Sequence, residues 1–279
     1  MTAHNPIYLL NSGKFGQESN RLNIQHDLFL ELTSTLLPVH IAEELPDEPR
    51  IADVATGTGI WMKAVNKSLQ SSGKSSVLLD GFDMDTTKFP SPSTLDHNIR
   101  FFEKNCLEPF AEEFLGKYDA VHVRLLMYSL KEEDWAPAVR NLTTLLKPRG
   151  WLFWEETGYP SWISIPPSDA MHKLLQKDVE WARQKGRCLR SPHNLPAHFQ
   201  EAGLQHCDWK DYSTFEKPEL SQAASDAIAR VLLQAVLGIA EQGGMEGLRT
   251  EDDAQRLANA VFDDVARGHE IGFSMRWNS

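Results

Sequence analysis

The chain is short of cysteine, of basic runs and of long apolar segments, and each shortage excludes a class of protein. Its three cysteines, Cys106, Cys188 and Cys207, are odd in number and lack metal-ligand or redox spacing. This argues against a disulfide framework and a cysteine-bound metal, and for a reduced, cytoplasmic setting. Lys and Arg number 28 against 39 Asp and Glu, a net charge of −11. The cationic footprint that a nucleic acid requires is missing. No apolar run reads as long enough to cross a bilayer. The first residues lack the basic region and apolar core of a secretory leader. Repeats and low-complexity tracts are absent as well. What is present is 41 % hydrophobic content over 279 residues, sufficient for a sizeable core.

Periodicity organises this content. Apolar residues recur at helical steps over 17–37 until Pro38 interrupts, and Pro46 and Pro49 mark an acidic linker. Strands are expected at 51–54, 77–82, 99–102, 118–123 and 150–154, with helices at 60–70 and 133–146. Strands alternating with helices predict an α/β fold with a mostly parallel sheet. Helical patterns return at 168–185, 195–203, 219–241 and 250–267, before an apolar run at 271–277.

The most informative segment is 50–61, Arg-Ile-Ala-Asp-Val-Ala-Thr-Gly-Thr-Gly-Ile-Trp. A strand passes through a turn of small residues into a helix, which leaves backbone N–H groups open to a nucleoside-like ligand. A dinucleotide fingerprint places a third glycine three residues after the second, where this chain has Met62. The Ser71–Ser76 segment contains Gly73-Lys74-Ser75 but lacks the leading glycine of a phosphate loop, with Ser68 in its place, and it precedes a strand. Asp83-Met84-Asp85 matches a metal–nucleotide Asp-x-Asp in form, but it stands too soon after the glycine turn for that reading.

Asp53-x-Ala55-x-Gly57-x-Gly59 resembles the first motif of the class I S-adenosylmethionine-dependent methyltransferases. Further motifs follow in order. Asp83-Met84 resembles the second-strand end, where an acid meets both ribose hydroxyls and its neighbour lies against adenine; a carboxylate suits a vicinal diol. Asn105-Cys106 resembles the third-strand loop that meets the adenine edge, with an amide where an acid is commoner. His122-Val-Arg124 resembles the fourth strand leaving the sheet toward methionine and substrate. Upstream, Tyr8, Glu18 and Arg21-Leu-Asn-Ile-Gln25-His26 resemble the N-terminal signature of fungal secondary-metabolite methyltransferases.

The resemblance implies a Rossmann-like sheet of seven strands, the last antiparallel. It also implies an N-terminal helical cap over 1–45 and a methyltransferase domain over 46–279, with helical substrate-lid insertions near 160–200 and 218–268. S-adenosylmethionine is the implied cofactor. Its site would use Tyr8, Arg21, Gln25, Asp53, Ala55, Gly57, Gly59, Asp83, Met84, Asn105, Cys106, His122 and Arg124. Trp154, Trp162 and Met171 are candidates for a substrate pocket. The implied partner is a small molecule, and the chain a monomer or homodimer.

Methyl transfer is an in-line displacement in which alignment alone supplies roughly 7–11 kcal/mol. A hydroxyl acceptor also gains from a general base; His122 is the first candidate and His172 the second. The activities of the family point to a hydroxyl or N-hydroxyl group of an alkaloid-like metabolite. S- or N-methylation, a cofactor-binding regulator of secondary metabolism and a sulfonium-assisted rearrangement are the alternatives.

Overall fold

The computed structural model describes residues 15–74, 76–159 and 161–279. Helix α1 (Phe15–Thr33) stops short of the predicted end because Ser34 takes a left-handed φ of 63°. The short α2 (Val39–Glu44) fills the stretch between Pro38 and Pro46, to which the sequence reading assigned no element. β1 (Arg50–Val54) is buried along nearly its whole length, as expected of a parallel strand covered on both faces. α3 (Ile60–Ser71) buries Trp61, Met62, Val65 and Leu69 on one face. β2 (Leu78–Asp83), β3 (Ile99–Glu103), β4 (Tyr118–Arg124), α4 (Trp135–Thr143) and β5 (Leu146–Glu156) complete the alternating half.

The second half adds β6 (Trp162–Ile165), α5 (Asp169–Gln184), α6 (Leu195–Glu201), β7 (Trp209–Ser213), α7 (Ser221–Glu241), α8 (Glu251–Ala266) and β8 (Glu270–Asn278). α8 starts on a capping box, with the Thr250 hydroxyl accepting from the Asp253 N–H and the Asp253 carboxylate accepting from the Thr250 N–H. The sheet has eight strands in the order β3-β2-β1-β4-β5-β8-β6, with β7 also on β8. β1 to β5 pair in parallel, and β8 is antiparallel to β5, β6 and β7. The antiparallel terminal strand matches expectation; the strand count is one higher than the expected seven. β6 and β7 are short, expose Ile163, Ile165 and Trp209, and give little periodic signal.

The segment Pro218–Glu241, which contains α7, is long and apolar enough to cross a membrane by length and composition, contrary to the sequence reading. In the fold it packs against α5, α8 and β8, burying Ile228, Leu232, Ala235, Val236 and Ile239. Strand order reverses between β1 and β4. In open α/β sheets the crevice at the carboxyl ends of such a pair is where ligands bind.

Candidate active site

A cavity of about 580 Å³ opens at this switch point. Its floor comes from the ends of β1, β2, β4 and β5, and its sides from α1 and α7. The volume lies within the range of about 300–1,000 Å³ usual for small-molecule sites.

The glycine turn is built as the sequence predicts. Ala55, Gly57 and Gly59 all take positive φ, at 59°, 55° and 68°. A Cβ on Gly59 would fall 2.4 Å from Phe101 Cζ, so this position serves strand–helix packing. Gly59 therefore supports the turn from behind, whereas Ala55 and Gly57 line the cavity. α1 lies over the turn, with Thr58 Oγ1 donating to Asn23 Oδ1 at 3.1 Å.

Asp83 stands at the end of β2 on the cavity wall. Its Oδ2 accepts the Gly57 N–H at 2.8 Å and its Oδ1 the Asp85 N–H at 2.9 Å. Burial raises its pKa, partly offset by the Lys88 ammonium and these N–H donors. Each oxygen keeps acceptor capacity for one more donor, as a ribose diol requires. Met84 is half-exposed beside it, and Asn105 and Cys106 form the adjoining wall. Asn105 Oδ1 accepts the Leu107 N–H at 3.0 Å, so the amide oxygen already serves its own turn. Burial pushes the Cys106 thiol up to about 12, which keeps it a neutral wall group.

Arg21 and Gln25 reach the cavity from α1, and Arg21 Nη1 donates to Gln25 Oε1 at 3.1 Å. Tyr8 lies outside the described residues. Arg124 also lines the cavity; its Nη1 donates to His26 Nδ1 at 3.3 Å and lies 4.0 Å from Glu155. Burial and then Arg124 push His26 down to about 4, leaving it neutral at pH 7.

His122 does not suit the role of general base. Its Nδ1 meets Asp53 Oδ1 at 2.7 Å and its Nε2 meets Glu155 Oε1 at 2.9 Å. Trp61 stacks on the ring, with centroids 3.7 Å apart and planes at 12°. Burial opposes a charge on the ring, but the two carboxylate hydrogen bonds outweigh it and raise the pKa above 6.5. His122 is an imidazolium with no nitrogen free to receive a proton. Asp53 has a protein partner on each oxygen too, because its Oδ2 accepts from Thr56 Oγ1 at 2.6 Å. The acid of the first motif thus ties the turn to the sheet. Glu155 completes the clamp and accepts from Trp277 Nε1 at 3.1 Å.

Three further expectations are corrected. His172 is exposed on α5, 2.9 Å from Gln176, and stands off the cavity wall. Met171 is buried in the core behind it. Trp154 is fully buried, stacked on Trp135 at 5.5 Å, because its strand position faces the sheet's other layer. Trp162 does line the cavity, alone among the described residues of 160–200. The sequence reading missed Glu155, Glu156 and Tyr128. Two consecutive acids ending an apolar strand were the signal for the first two. Glu156 is fully buried and accepts from the Leu126 and Thr157 N–H groups, at 2.7 and 3.1 Å, and from the Trp154 indole; burial nevertheless pushes it up to about 8.

A family model described as a methyltransferase domain matches residues 24–207. The chain belongs to this family. It is 32 % identical over 273 residues to methyltransferase grgD of a Penicillium species, covering 94 % of this chain and 91 % of that one. It is 29 % identical over 280 residues to N-methyltransferase gliN of Aspergillus fumigatus, covering 95 % and 90 %. Several other fungal relatives match over about half of their own length. Among solved structures, a chain described as a methyltransferase of an antibiotic biosynthesis pathway from Anabaena variabilis superposes with a TM-score of 0.52 at 13 % identity. That match covers 88 % of this chain and 98 % of the other, and it bears on fold alone. The methyltransferase uses S-adenosylmethionine, and the cavity suits it. Backbone comes bare to the wall at Gly57, the Asp83 carboxylate faces inward at a strand end, and an exposed thioether stands beside that carboxylate.

Proposed function

We propose that this methyltransferase modifies a protic nitrogen or oxygen of a small natural product with a largely apolar body. The observation that carries this reading is the continuity of the cavity. The cavity that holds the glycine turn and Asp83 is also lined by Met127, Trp162, Ile228, Val231, Leu237 and Phe273, which we take as an apolar chamber for the acceptor. The 218–268 insertion contributes α7 to this chamber, in keeping with a substrate lid, and α1 acts as the cap.

The bound cofactor supplies an activated methyl group on a positively charged sulfur. Asp83 and the Gly57 turn hold the nucleoside end, and Arg21, Gln25 and Arg124 face the amino-acid end. The apolar chamber excludes water and aligns the acceptor, which is where most of the barrier reduction arises. Nitrogen is the first reading, supported by the relative from A. fumigatus, which is named an N-methyltransferase. A hydroxyl or N-hydroxyl oxygen of an alkaloid-like metabolite is the second, supported by Tyr128 on the cavity wall.

The test is incubation of the protein with deuteromethyl S-adenosylmethionine and a panel of paired amine, hydroxyl and thiol metabolites, read by mass spectrometry. Label on nitrogen or oxygen is the expected result. Label confined to sulfur would overturn the assignment.

A further inference from the structure

Tyr128 forms part of the wall between the chamber and a small void of about 10 Å³ that Asp178 also lines. Its hydroxyl donates to Asp178 Oδ2 at 2.7 Å, across from the β4 exit to α5. Asp178 is fully buried, and its Oδ1 has no hydrogen-bond partner among the described residues. A buried carboxylate is costly unless it is paired and hydrogen-bonded, and here one oxygen lacks a hydrogen bond. Arg187, whose guanidinium lies 5.0 Å from the Trp181 ring centroid, supplies the nearby positive charge. The pair resembles the arrangement in which a carboxylate orients and activates a hydroxyl that faces substrate.

We propose that Tyr128 hydrogen-bonds the acceptor's nucleophilic N–H or O–H and passes the released proton to Asp178. This assignment rests on the chamber being the acceptor site. As the acceptor's nitrogen or oxygen bonds to the methyl carbon, the carbon–sulfur bond breaks and its electron pair stays with sulfur. The acceptor's proton moves to the Tyr128 oxygen while the Tyr128 proton moves to Asp178 Oδ2. The sulfonium charge and the carboxylate charge disappear together. Burial lifts Asp178 to about 6, against the Tyr128 hydrogen bond and Arg187, so at neutral pH it is ionised yet a better proton acceptor than an ordinary aspartate. A tyrosine–aspartate pair therefore takes the role that His122, clamped as an imidazolium, does not fill.

Phenol and toluene are isosteric probes that differ in one protic group. With the protein saturated with S-adenosylhomocysteine, ligand-observed NMR gives the affinity of each for wild type and for Y128F. Phenol is expected to bind wild type at least tenfold more tightly than toluene, with the preference abolished in Y128F. Affinity for S-adenosylhomocysteine should be equal in both, which reports an intact fold. In ¹³C-aspartate-labelled protein, phenol but not toluene should shift the carboxyl resonance that D178N removes. A purely structural tyrosine would weaken both probes alike. Equal binding of the probes to wild type, or a phenol preference surviving in Y128F, would overturn the proposal. Failure of wild type to bind S-adenosylhomocysteine would instead defeat the reading of the cavity itself.

Discussion

His122 and Asp53 lie opposite one another on neighbouring parallel strands, Nδ1 to Oδ1 at 2.7 Å, and Glu155 grips the other ring nitrogen at 2.9 Å from the strand beyond. Three central strands are thereby tied together at their carboxyl ends. Through Thr56 the tie continues into the glycine turn, and through Arg124 into α1. The histidine that sequence logic offers as a base is the cation of a structural clamp.

Removing that cation leaves two buried carboxylates facing each other. His122→Ala should destabilise the fold by about 3–5 kcal/mol, the usual cost of breaking a buried charge pair. Urea denaturation measures this. A variant of undiminished stability that had lost methyl transfer would return His122 to catalysis.

The clamp also sets a pH dependence. The His122 pKa is raised in the folded state, so above the unfolded value of about 6.5 the folded protein binds the extra proton. Its stabilisation is fully present below that value and is lost as pH rises through the folded pKa. Wild-type stability should decline as pH rises from about 6.5, the unfolded value, through the raised folded one, and the decline should be shallower in H122A. Thermal melts across pH 6–10 give the comparison, and parallel slopes would contradict it.

The glycines of the turn differ in what they tolerate. Gly59→Ala meets Phe101 Cζ at 2.4 Å in addition to a φ of 68°, whereas Gly57→Ala meets only Leu22 Cδ1 at 3.4 Å with a φ of 55°. The left-handed conformation alone costs roughly 1–2 kcal/mol for an L-residue. G57A should lose about that much stability and G59A clearly more, as read from denaturation midpoints.

His172 pairs with Gln176 on an exposed helix face. H172A should leave the rate of methyl transfer unchanged and alter stability by less than about 0.5 kcal/mol. A rate loss of tenfold or more would place His172 in the chemistry after all.

The alternating half of the fold was legible because its strands are near-continuous apolar runs and its turn is made of small residues. Met62 and Asp83 then directed the choice of cofactor. The residues that close the site were harder to see, for different reasons. Strand alternation says that His122 points to one face but not that two acids wait there. Trp154 and Met171 have the composition of pocket residues, and only the packing of the second core layer and α5 shows that they face away. The Tyr128–Asp178 pair spans 50 residues, and α7 reads equally well as core and as cavity wall. Long-range pairings of this kind leave no periodic trace in a single sequence.

The central claim is that the switch-point cavity holds the cofactor through Asp83 at the end of β2. Isothermal titration of S-adenosylhomocysteine into wild type and Asp83→Ala tests it most directly. A hydrogen bond to a charged group contributes about 1.5–3 kcal/mol, so the account predicts one-to-one binding at micromolar concentration in wild type and roughly 10- to 150-fold weaker binding in the variant. Absence of binding to wild type, or undiminished affinity in D83A, would contradict it.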